Sequence, residues 1–445
     1  MPAQRVLWIA ILASFCAFLD GTIVNVALPA IDRGLGGGLA TQQWVVDGYL
    51  ITLGALILVA GSISDAFGRT LVLRIGLIGF GLSSLGVALA PEPITLVVAR
   101  LVQGAAGAFL VPSSLALITS AFSGAAQAKA IGTWTAFTTG AQIAGPLIGG
   151  LLVDLASWRL AFLINVIPVA VTLVLLRGVA DPPRRPGARV DLVSASLCVV
   201  GFGSLVFGLI EQPRLGWGHP AIPVTLVVGA ALFALFLRRQ HTAAEPMLPL
   251  SLFRVRNFGV GNIATAFIYA ALALNGFVVA IYLQQGAGLS ATLAGLASLP
   301  VTILMILLSS RVGALAGRFG PRIFMTAGPV LMAIGSLMLL AVSPDFSYWR
   351  QVLPAMTVFG LGLSIMVSPL TSAILGAIEP ARSGIASAAN NAISRVAGLL
   401  ATAAIGGIVG STLDLDGFRR SAIVVAALMA AGGVVSWIGI RSPRA

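Results

Sequence analysis

Four ionisable residues, Asp20, Asp47, Arg100 and Arg395, lie inside long apolar stretches of the chain. An ionised side chain inside a bilayer is costly, so each of them needs a partner or a function. Burial disfavours the charged form of a carboxyl group and a nearby guanidinium favours it, so a small rearrangement can change its protonation. Such a group can couple a conformational change to a proton gradient.

Three of these residues are predicted to lie at a similar depth in one half of the chain. At about 1.5 Å of rise per residue, Asp20 lies roughly 20 Å above the cytoplasmic start of its helix. On the same scale, Asp47 and Arg100 lie roughly 8 Å below the outer surface. We therefore predict a buried proton-coupling cluster in which Asp20 or Asp47 changes protonation. Asp47 and Arg100 could instead only neutralise each other and hold two helices together. Asp20 could instead only bond to neighbours such as Thr22 and Asn25.

A second group of side chains is predicted to contact a substrate. Trp134 and Phe137 lie one helical turn apart, so both rings can face a cavity and stack on flat or cationic rings. Core packing is the alternative for these two rings. Arg395 follows two asparagines near the middle of an apolar run, and it either clamps carbonyl oxygens or neutralises an acidic group on a substrate. The predicted substrate-cavity residues are Asn25, Trp134, Phe137, Gln142, Asn391 and Arg395.

The elements that carry these residues are predicted to be membrane-spanning helices. Apolar residues make up 58% of the 445-residue chain and charged residues 9%, against roughly half and a quarter in soluble domains. The long runs show no period-two alternation, which argues against a closed barrel of strands. A helical span needs about 20 apolar residues. We predict fourteen spans, over 6–31, 42–63, 70–90, 94–121, 130–153, 158–177, 192–211, 220–238, 258–283, 292–315, 322–342, 350–377, 383–410 and 419–440.

The chain contains an internal repeat. The loop Gly61–Arg69 recurs as Gly313–Arg322, and each copy separates two apolar runs. In duplicated membrane bundles the working site usually lies between the halves. The predicted domains are an N-terminal six-helix bundle (1–177), a linker with two inserted helices (178–257) and a C-terminal six-helix bundle (258–445).

Charge distribution indicates topology and location. With the N-terminus in the cytoplasm, most arginines fall in cytoplasmic loops, so both termini are predicted to be cytoplasmic. The net charge of +12 is spread over many short loops, which argues against a nucleic-acid partner. Lys129 is the only lysine among 26 basic residues, a bias that suggests a GC-rich genome and a bacterial inner membrane.

Several function classes are disfavoured by what the sequence lacks. There is no G-x-x-x-x-G-K-[ST] loop and no room for a separate nucleotide-binding domain, so ATP is not expected to be the direct energy source. No nucleophile–base pair or metal-ligand cluster is visible, so we expect no enzyme activity, cofactor or metal. Cys16 and Cys198 lie inside apolar runs as packing residues. The expected partners are a small-molecule substrate, protons and the lipid bilayer, and the expected state is a monomer.

The fifth predicted span contains a glycine–proline pattern formed by Gly140, Gly145, Pro146, Gly149 and Gly150. Pro146 removes a backbone hydrogen bond and is expected to bend the helix. The glycines permit close approach of a neighbouring helix.

The first copy of the repeated loop contains Gly61, Asp65, Gly68 and Arg69. The glycines allow a tight turn, and Asp65 can accept hydrogen bonds from a helix N-terminus or pair with Arg69. The loop could hold the helices of the bundle together at their cytoplasmic ends. The alternative is a turn that only sets topology.

These patterns together resemble the major facilitator superfamily, and specifically its fourteen-span drug:proton antiporters. The segments that carry the resemblance are Leu19–Pro29, Gly61–Thr70, Arg100–Gly107, Gly140–Gly150 and Asn390–Arg395, and the likeness covers essentially the whole chain. The resemblance implies an all-α polytopic membrane protein with two six-helix bundles and two inserted helices. It also implies that Arg100 takes part in proton transfer and that the glycine–proline pattern is typical of exporters.

Departures from the family pattern bear on the substrate. Ala66, Thr70 and Gly317 weaken the charged loop, and no carboxylate lies inside spans nine to thirteen. Relatives that export divalent cations typically have acidic groups there, so monovalent-cationic, neutral or acidic organic substrates are favoured. We expect a proton-coupled exporter of lipophilic drugs or toxic organic compounds that works by alternating access. The alternatives are a dedicated exporter of one metabolite, antibiotic or lipid, and a non-transporting sensor or scaffold.

Overall fold

The structure is a computed structural model that describes residues 3–179, 190–243, 246–379, 382–410 and 412–441. These residues form helices joined by short loops, with no strand in the ranges described. The chain forms two compact units. The first comprises Met1–Leu205, Thr225–Phe236 and Ser290–Thr292, and the second comprises Val206–Val224, Leu237–Leu289 and Leu293–Ala445.

The helices follow the apolar runs of the sequence. The first ten are α1 (Ala3–Leu35), α2 (Gly38–Phe67), α3 (Arg69–Ala88), α4 (Pro93–Gly107), α5 (Leu110–Ala121), α6 (Gly124–Leu155), α7 (Leu160–Leu163), α8 (Val166–Leu175), α9 (Leu192–Leu215) and α10 (Ala221–Thr242). The remaining eight are α11 (Arg256–Gln285), α12 (Ala291–Leu296), α13 (Leu299–Phe319), α14 (Pro321–Met338), α15 (Leu353–Leu375), α16 (Ser383–Ala403), α17 (Ile405–Val409) and α18 (Leu415–Gly439). Short helical turns cover Leu250–Arg254, Leu339–Ala341 and Tyr348–Val352.

Twelve helical segments among the described residues are long and apolar enough to cross a membrane. They include Pro93–Ala121, which joins α4 and α5, and Gly384–Val409, which joins most of α16 to α17. The fourteen predicted spans also include 42–63 and 158–177. The first coincides with α2, which is not among the twelve, and the second with the shorter apolar stretch Leu160–Leu175. The helical fold class is therefore confirmed, and the span count of fourteen stays a prediction.

Close packing of α2 against α4 positions the charged residues of the first unit. The Thr52 hydroxyl donates a hydrogen bond of 2.7 Å to the Leu101 carbonyl oxygen. Gly104 faces the Tyr49 carbonyl oxygen so closely that a side chain there would overlap it. Small residues permit this approach in membrane helices, where lipid provides no hydrophobic drive for association. Arg100, one turn before Gly104, is thereby held against α2.

In the second unit, α11 and α16 run parallel and in register. The Asn390 amide donates to Asn262 Oδ1 and to Thr265 Oγ1, each at 3.0 Å. Eight residues further along, a methyl group on Gly398 would lie 3.2 Å from the Ala273 Cβ. The two helices therefore stay together over at least two turns around Arg395.

The repeated loops adopt the same type of turn in both units. Gly68, between α2 and α3, has φ 107°, and Gly320, between α13 and α14, has φ 81°. Residues with a Cβ rarely adopt this backbone conformation, so glycine is needed at both positions. The predicted tight turn at Gly68 is confirmed, but Gly61 lies inside α2 and is not part of the turn. The Asp65 side chain lies outside the described part of the structure.

Candidate functional site

Asp20 and Arg100 form a fully buried ion pair in the first unit. Arg100 Nη1 lies 2.6 Å from Asp20 Oδ2, and their side chains are 1% and 0% exposed. The other carboxylate oxygen, Oδ1, accepts from the Gln103 and Asn165 amides, each at 3.0 Å. Asp20 of α1 thus accepts bonds from α4 and from the junction of α7 and α8. A buried charge is tolerated when it is paired and hydrogen-bonded in this way.

Arg100 is also held by α2 and by aromatic rings. Its Nε donates to the Val45 carbonyl oxygen at 2.9 Å, and its Nη1 donates to Gln103 Oε1 at 2.7 Å. The guanidinium carbon lies 4.4 Å from the centroid of the Tyr49 ring and 5.6 Å from that of Phe162. These contacts fix the plane of the guanidinium and compensate its removal from water.

The polar network includes three residues that the sequence did not single out as site residues. Gln103 donates to the Ser84 hydroxyl at 2.9 Å as well as to Asp20, and Asn165 provides the third donor to the carboxylate. All three side chains are fully buried. Gln103 lies three residues after Arg100 and Asn165 stands in an apolar run, so polarity inside a span was the available signal.

Asp47 is the second buried carboxylate of the first unit, and its environment differs from that of Asp20 in its hydrogen bonding. Its side chain is 0% exposed, and neither carboxylate oxygen has a hydrogen-bond partner among the described residues. Its neighbour Gly48 packs against Arg100, because a methyl group added to Gly48 would lie 3.6 Å from the Arg100 Cβ. Asp47 is therefore close to the ion pair in the helix packing without bonding to it.

The partners named in the two structural alternatives are not the ones found, and the proton-coupling role of these residues stays a prediction. Arg100 pairs with Asp20 rather than with Asp47, because the guanidinium reaches α1 while its Nε binds the α2 backbone. Asp20 bonds to α4 and Asn165 rather than to its own helix. The Thr22 hydroxyl donates to the Leu19 carbonyl oxygen at 3.1 Å instead.

The two predicted aromatic residues of α6 differ in exposure. Trp134 is 9% exposed, and its indole nitrogen donates to the Ser14 hydroxyl at 3.0 Å, which favours core packing over substrate contact. Phe137 is 43% exposed and packs edge-on against Trp8, with ring centroids 5.3 Å apart. Trp8, itself 47% exposed, extends this aromatic surface onto α1. Trp8 and Phe137 therefore form one exposed aromatic surface, and sequence reasoning missed Trp8.

The other predicted cavity residues lie in separate units. Asn25 is half-buried and Gln142 is exposed in the first unit. In the second unit Asn391 is exposed, and Arg395 is half-buried with no hydrogen bond or ion pair to any described residue. No carbonyl clamp by Arg395 is present in this part of the chain.

The glycine–proline pattern of α6 allows tight packing on α1. A methyl group on Gly149 would lie 2.5 Å from an Ile23 side-chain carbon and 2.8 Å from one of Val26. Gly145 faces the Thr22 side chain at similarly close range, whereas Gly140 has open space around it. Pro146 lies inside α6, which continues on both sides of it.

The same end of α6 contacts the segment 290–292 of the first unit. Gly150 faces the Ala291–Thr292 backbone, where an added methyl group would lie 2.6 Å from the Thr292 Cα. One turn later, the Asp154 carboxylate accepts from the backbone nitrogens of Ala291 at 3.0 Å and Thr292 at 2.7 Å. Asp154 is a further contact that sequence reasoning missed.

Arg69, in the first loop copy, binds a neighbouring helix. Its Nη1 donates to the Ala116 carbonyl oxygen of α5 at 2.9 Å. Gly61, near the end of α2, has open space around it. This arrangement ties the α2–α3 turn to α5.

The geometry described above fits a known membrane fold. A sequence profile of the Major Facilitator Superfamily matches residues 10–402 and 262–445. The chain belongs to the major facilitator superfamily. Members of this superfamily are transporters rather than enzymes.

Relatives similar in sequence over most of the chain include drug-resistance proteins. The chain is 33% identical to the methylenomycin A resistance protein of Bacillus subtilis, over 91% of this chain and 87% of that one. It is 34% identical to multidrug resistance protein Stp of Mycobacterium tuberculosis, over 91% and 75%. It is 33% identical to puromycin resistance protein pur8 of Streptomyces alboniger, over 90% and 81%.

Solved superfamily structures agree with the fold at low sequence identity. A D-xylose–proton symporter aligns with a TM-score of 0.70 at 14% identity, covering 99% of this chain and 98% of that one. A peptide transporter POT aligns with a TM-score of 0.70 at 13% identity, covering 98% and 93%. These two comparisons support the fold alone.

Proposed function

We propose that this superfamily member is a proton-coupled exporter of lipophilic drugs or toxic organic compounds. The relatives that carry this proposal are resistance proteins that match nearly the whole chain. We place it in a bacterial inner membrane with fourteen spans and both termini in the cytoplasm. We assign six helices to 1–177, two inserted helices to 178–257 and six helices to 258–445.

The observation that carries proton coupling is the contrast between the two buried carboxylates. Asp20 accepts three hydrogen bonds, one of them from a guanidinium, whereas Asp47 has none in the described structure. A buried carboxylate without a partner is stable only as the neutral acid. Paired carboxyl groups in different environments are a common arrangement for moving a proton.

The proposed cycle uses this contrast. In the present conformation Asp47 holds a proton, and Asp20 keeps its salt bridge with Arg100. In a conformation open to the other side of the membrane, the Arg100–Asp20 pair loosens, and either Asp20 takes up a proton or Asp47 releases the one it holds. A ligand shifts such an equilibrium only if it prefers one state. The proton and the substrate must therefore favour opposite conformations.

The test is substrate-induced loss of ΔpH in everted vesicles. Ethidium, chloramphenicol and rhodamine 110 would be added in turn to vesicles that hold the wild type, Asp20→Asn, Asp47→Asn or Asp345→Asn. Asp345 is a suitable control because its side chain is exposed and only its backbone oxygen is hydrogen-bonded. We expect a response from the wild type and the control with at least one compound, and none from the other two variants.

Wild-type rates in both Asp20→Asn and Asp47→Asn would exclude these residues from coupling. No response from the wild type to any of the three compounds would contradict proton antiport of drugs.

A dedicated exporter of one compound is the second candidate. It is favoured by relatives named for single antibiotics, such as the cephamycin export protein CmcT of Amycolatopsis lactamdurans, 31% identical over 92% of this chain. Growth of a sensitive host that expresses the chain separates the two candidates. Resistance to several unrelated compounds supports a multidrug exporter, and resistance to one supports a dedicated exporter.

A further inference from the structure

Arg395 is a mid-helix cation in a region without acidic side chains. It lies near the middle of α16, about 12 Å from the C-terminal end of that helix at 1.5 Å per residue. The sequences of α11, α13, α14, α15 and α16 contain no Asp or Glu. A charge at this depth in a membrane protein is expensive and marks a functional site unless the protein neutralises it.

No residue in the described part of the structure neutralises Arg395. Its guanidinium forms no hydrogen bond or ion pair within the described ranges, and none of its nitrogens is among the fully buried unbonded atoms. Arg100 provides the contrast, because its guanidinium binds Asp20, Gln103 and the Val45 carbonyl oxygen. The donors of Arg395 are thus both unused and accessible.

A second unused donor lies at the same level of the neighbouring helix. Because Thr265 is level with Asn390 and Ala273 with Gly398, Tyr269 of α11 is level with residues 394 and 395 of α16. Tyr269 lies one turn after Thr265 and one turn before Ala273, on the face of α11 that packs against α16. The Tyr269 hydroxyl forms no hydrogen bond in the described part of the chain.

We infer that Arg395 and Tyr269 bind the carboxylate of an exported organic acid. The planar fork of a guanidinium matches the two oxygens of a carboxylate, and the phenol adds a third donor. Headgroup phosphates lie at the membrane surface, so a small organic anion fits the mid-helix position better than a lipid does. The inference rests on the proposed export function and specifies its substrate class.

The test compares two dyes that differ only in a carboxylate. Rhodamine 110 has a free carboxylate, and rhodamine 123 is its methyl ester. Binding of each dye to the purified full chain in phosphatidylcholine nanodiscs would be measured by fluorescence anisotropy. We expect the wild type to bind rhodamine 110 about tenfold more tightly than the ester, a typical gain for one charge-assisted contact.

The variants assign that preference to the two donors. Arg395→Gln should abolish the preference for the carboxylate and change ester binding by less than about twofold. Arg395→Lys should keep part of the preference for the carboxylate, because an ammonium retains the positive charge but not the planar pair of donors of a guanidinium. Tyr269→Phe should weaken only carboxylate binding. Arg350→Gln, an exposed arginine of the same unit, is the matched control and should behave as the wild type.

Several results would overturn the inference. The first is a wild type that binds rhodamine 110 no more tightly than the ester, or that binds neither dye. The second is an Arg395→Gln variant in which binding of both dyes weakens equally. Displacement of rhodamine 110 by phosphatidylglycerol but not by benzoate would assign the site to lipid and also overturn it. This binding assay is independent of transport. A carboxylate preference without any ΔpH response would leave this site standing and contradict the proposed proton antiport.

Discussion

The Arg100 guanidinium binds the Asp20 carboxylate at 2.6 Å, although 80 positions separate the two residues in the chain. The pair joins α4 to α1 and is surrounded by amide donors and aromatic rings. Removal of one member of such a pair leaves an uncompensated buried charge, which costs more than the pair contributes. The pair therefore limits which single substitutions the first unit can tolerate.

Removal of the guanidinium should destabilise the first unit. We expect Arg100→Gln to lower the free energy of unfolding by about 3–5 kcal/mol, because Asp20 would stay buried without a cation. The double variant Asp20→Asn/Arg100→Gln should recover much of that loss, since no net charge remains. Thermal unfolding of the purified protein in detergent measures both. A double variant no more stable than Arg100→Gln would contradict the stated reason.

Asp47→Asn should have the opposite effect on stability. Its carboxylate has no hydrogen-bond partner in the described structure, so an amide of similar size removes no contact. We expect unfolding temperatures equal to or above that of the wild type, while Asp20→Asn unfolds at a lower temperature. A marked destabilisation by Asp47→Asn would show that the carboxylate has a structural partner in solution.

Two glycines of the same helix give a matched test of the α1–α6 contact. Gly149→Ala places a methyl group 2.5 Å from an Ile23 carbon, whereas Gly140→Ala meets nothing within 4 Å. Overpacking should cost about 1–3 kcal/mol at Gly149. Alanine at Gly140 should be neutral or stabilising by up to about 1 kcal/mol, since alanine favours helix. Thermal unfolding of the two variants side by side is the measurement. Equal effects would contradict the close α1–α6 approach.

The repeated loop offers a similar comparison. Gly68 has φ 107°, so Gly68→Ala should cost about 1–3 kcal/mol of backbone strain. Gly61 of the same loop motif lies in the helical part of α2 with open space around it, and Gly61→Ala should change stability by less than about 1 kcal/mol. The thermal unfolding midpoints of the two variants, each compared with that of the wild type, measure these two effects. Loss of export in Gly61→Ala without loss of stability would instead indicate a role for this position in transport.

The helical fold and most of its boundaries followed from the sequence. Continuous apolar runs can satisfy their backbone hydrogen bonds in a bilayer only as helices, so hydropathy alone predicts them. Residue spacing also placed Asp20, Asp47 and Arg100 at one depth, because the rise per residue is fixed. The turn at Gly68 was predictable because glycine adopts a positive φ without strain, which is a local property that does not depend on tertiary contacts.

Only the tertiary structure decided which groups meet. Depth along a helix says nothing about the direction in which a side chain points, so the choice of Asp20 over Asp47 as the partner of Arg100 was open. Asn165 and Ser84 join the network through helix packing that no local pattern encodes. For the same reason Arg395 meets no anion among the described residues, while Arg100 meets Asp20. The sequence by itself determined the elements and their buried charges, and the rotation and packing of the helices determined how each charge is paired.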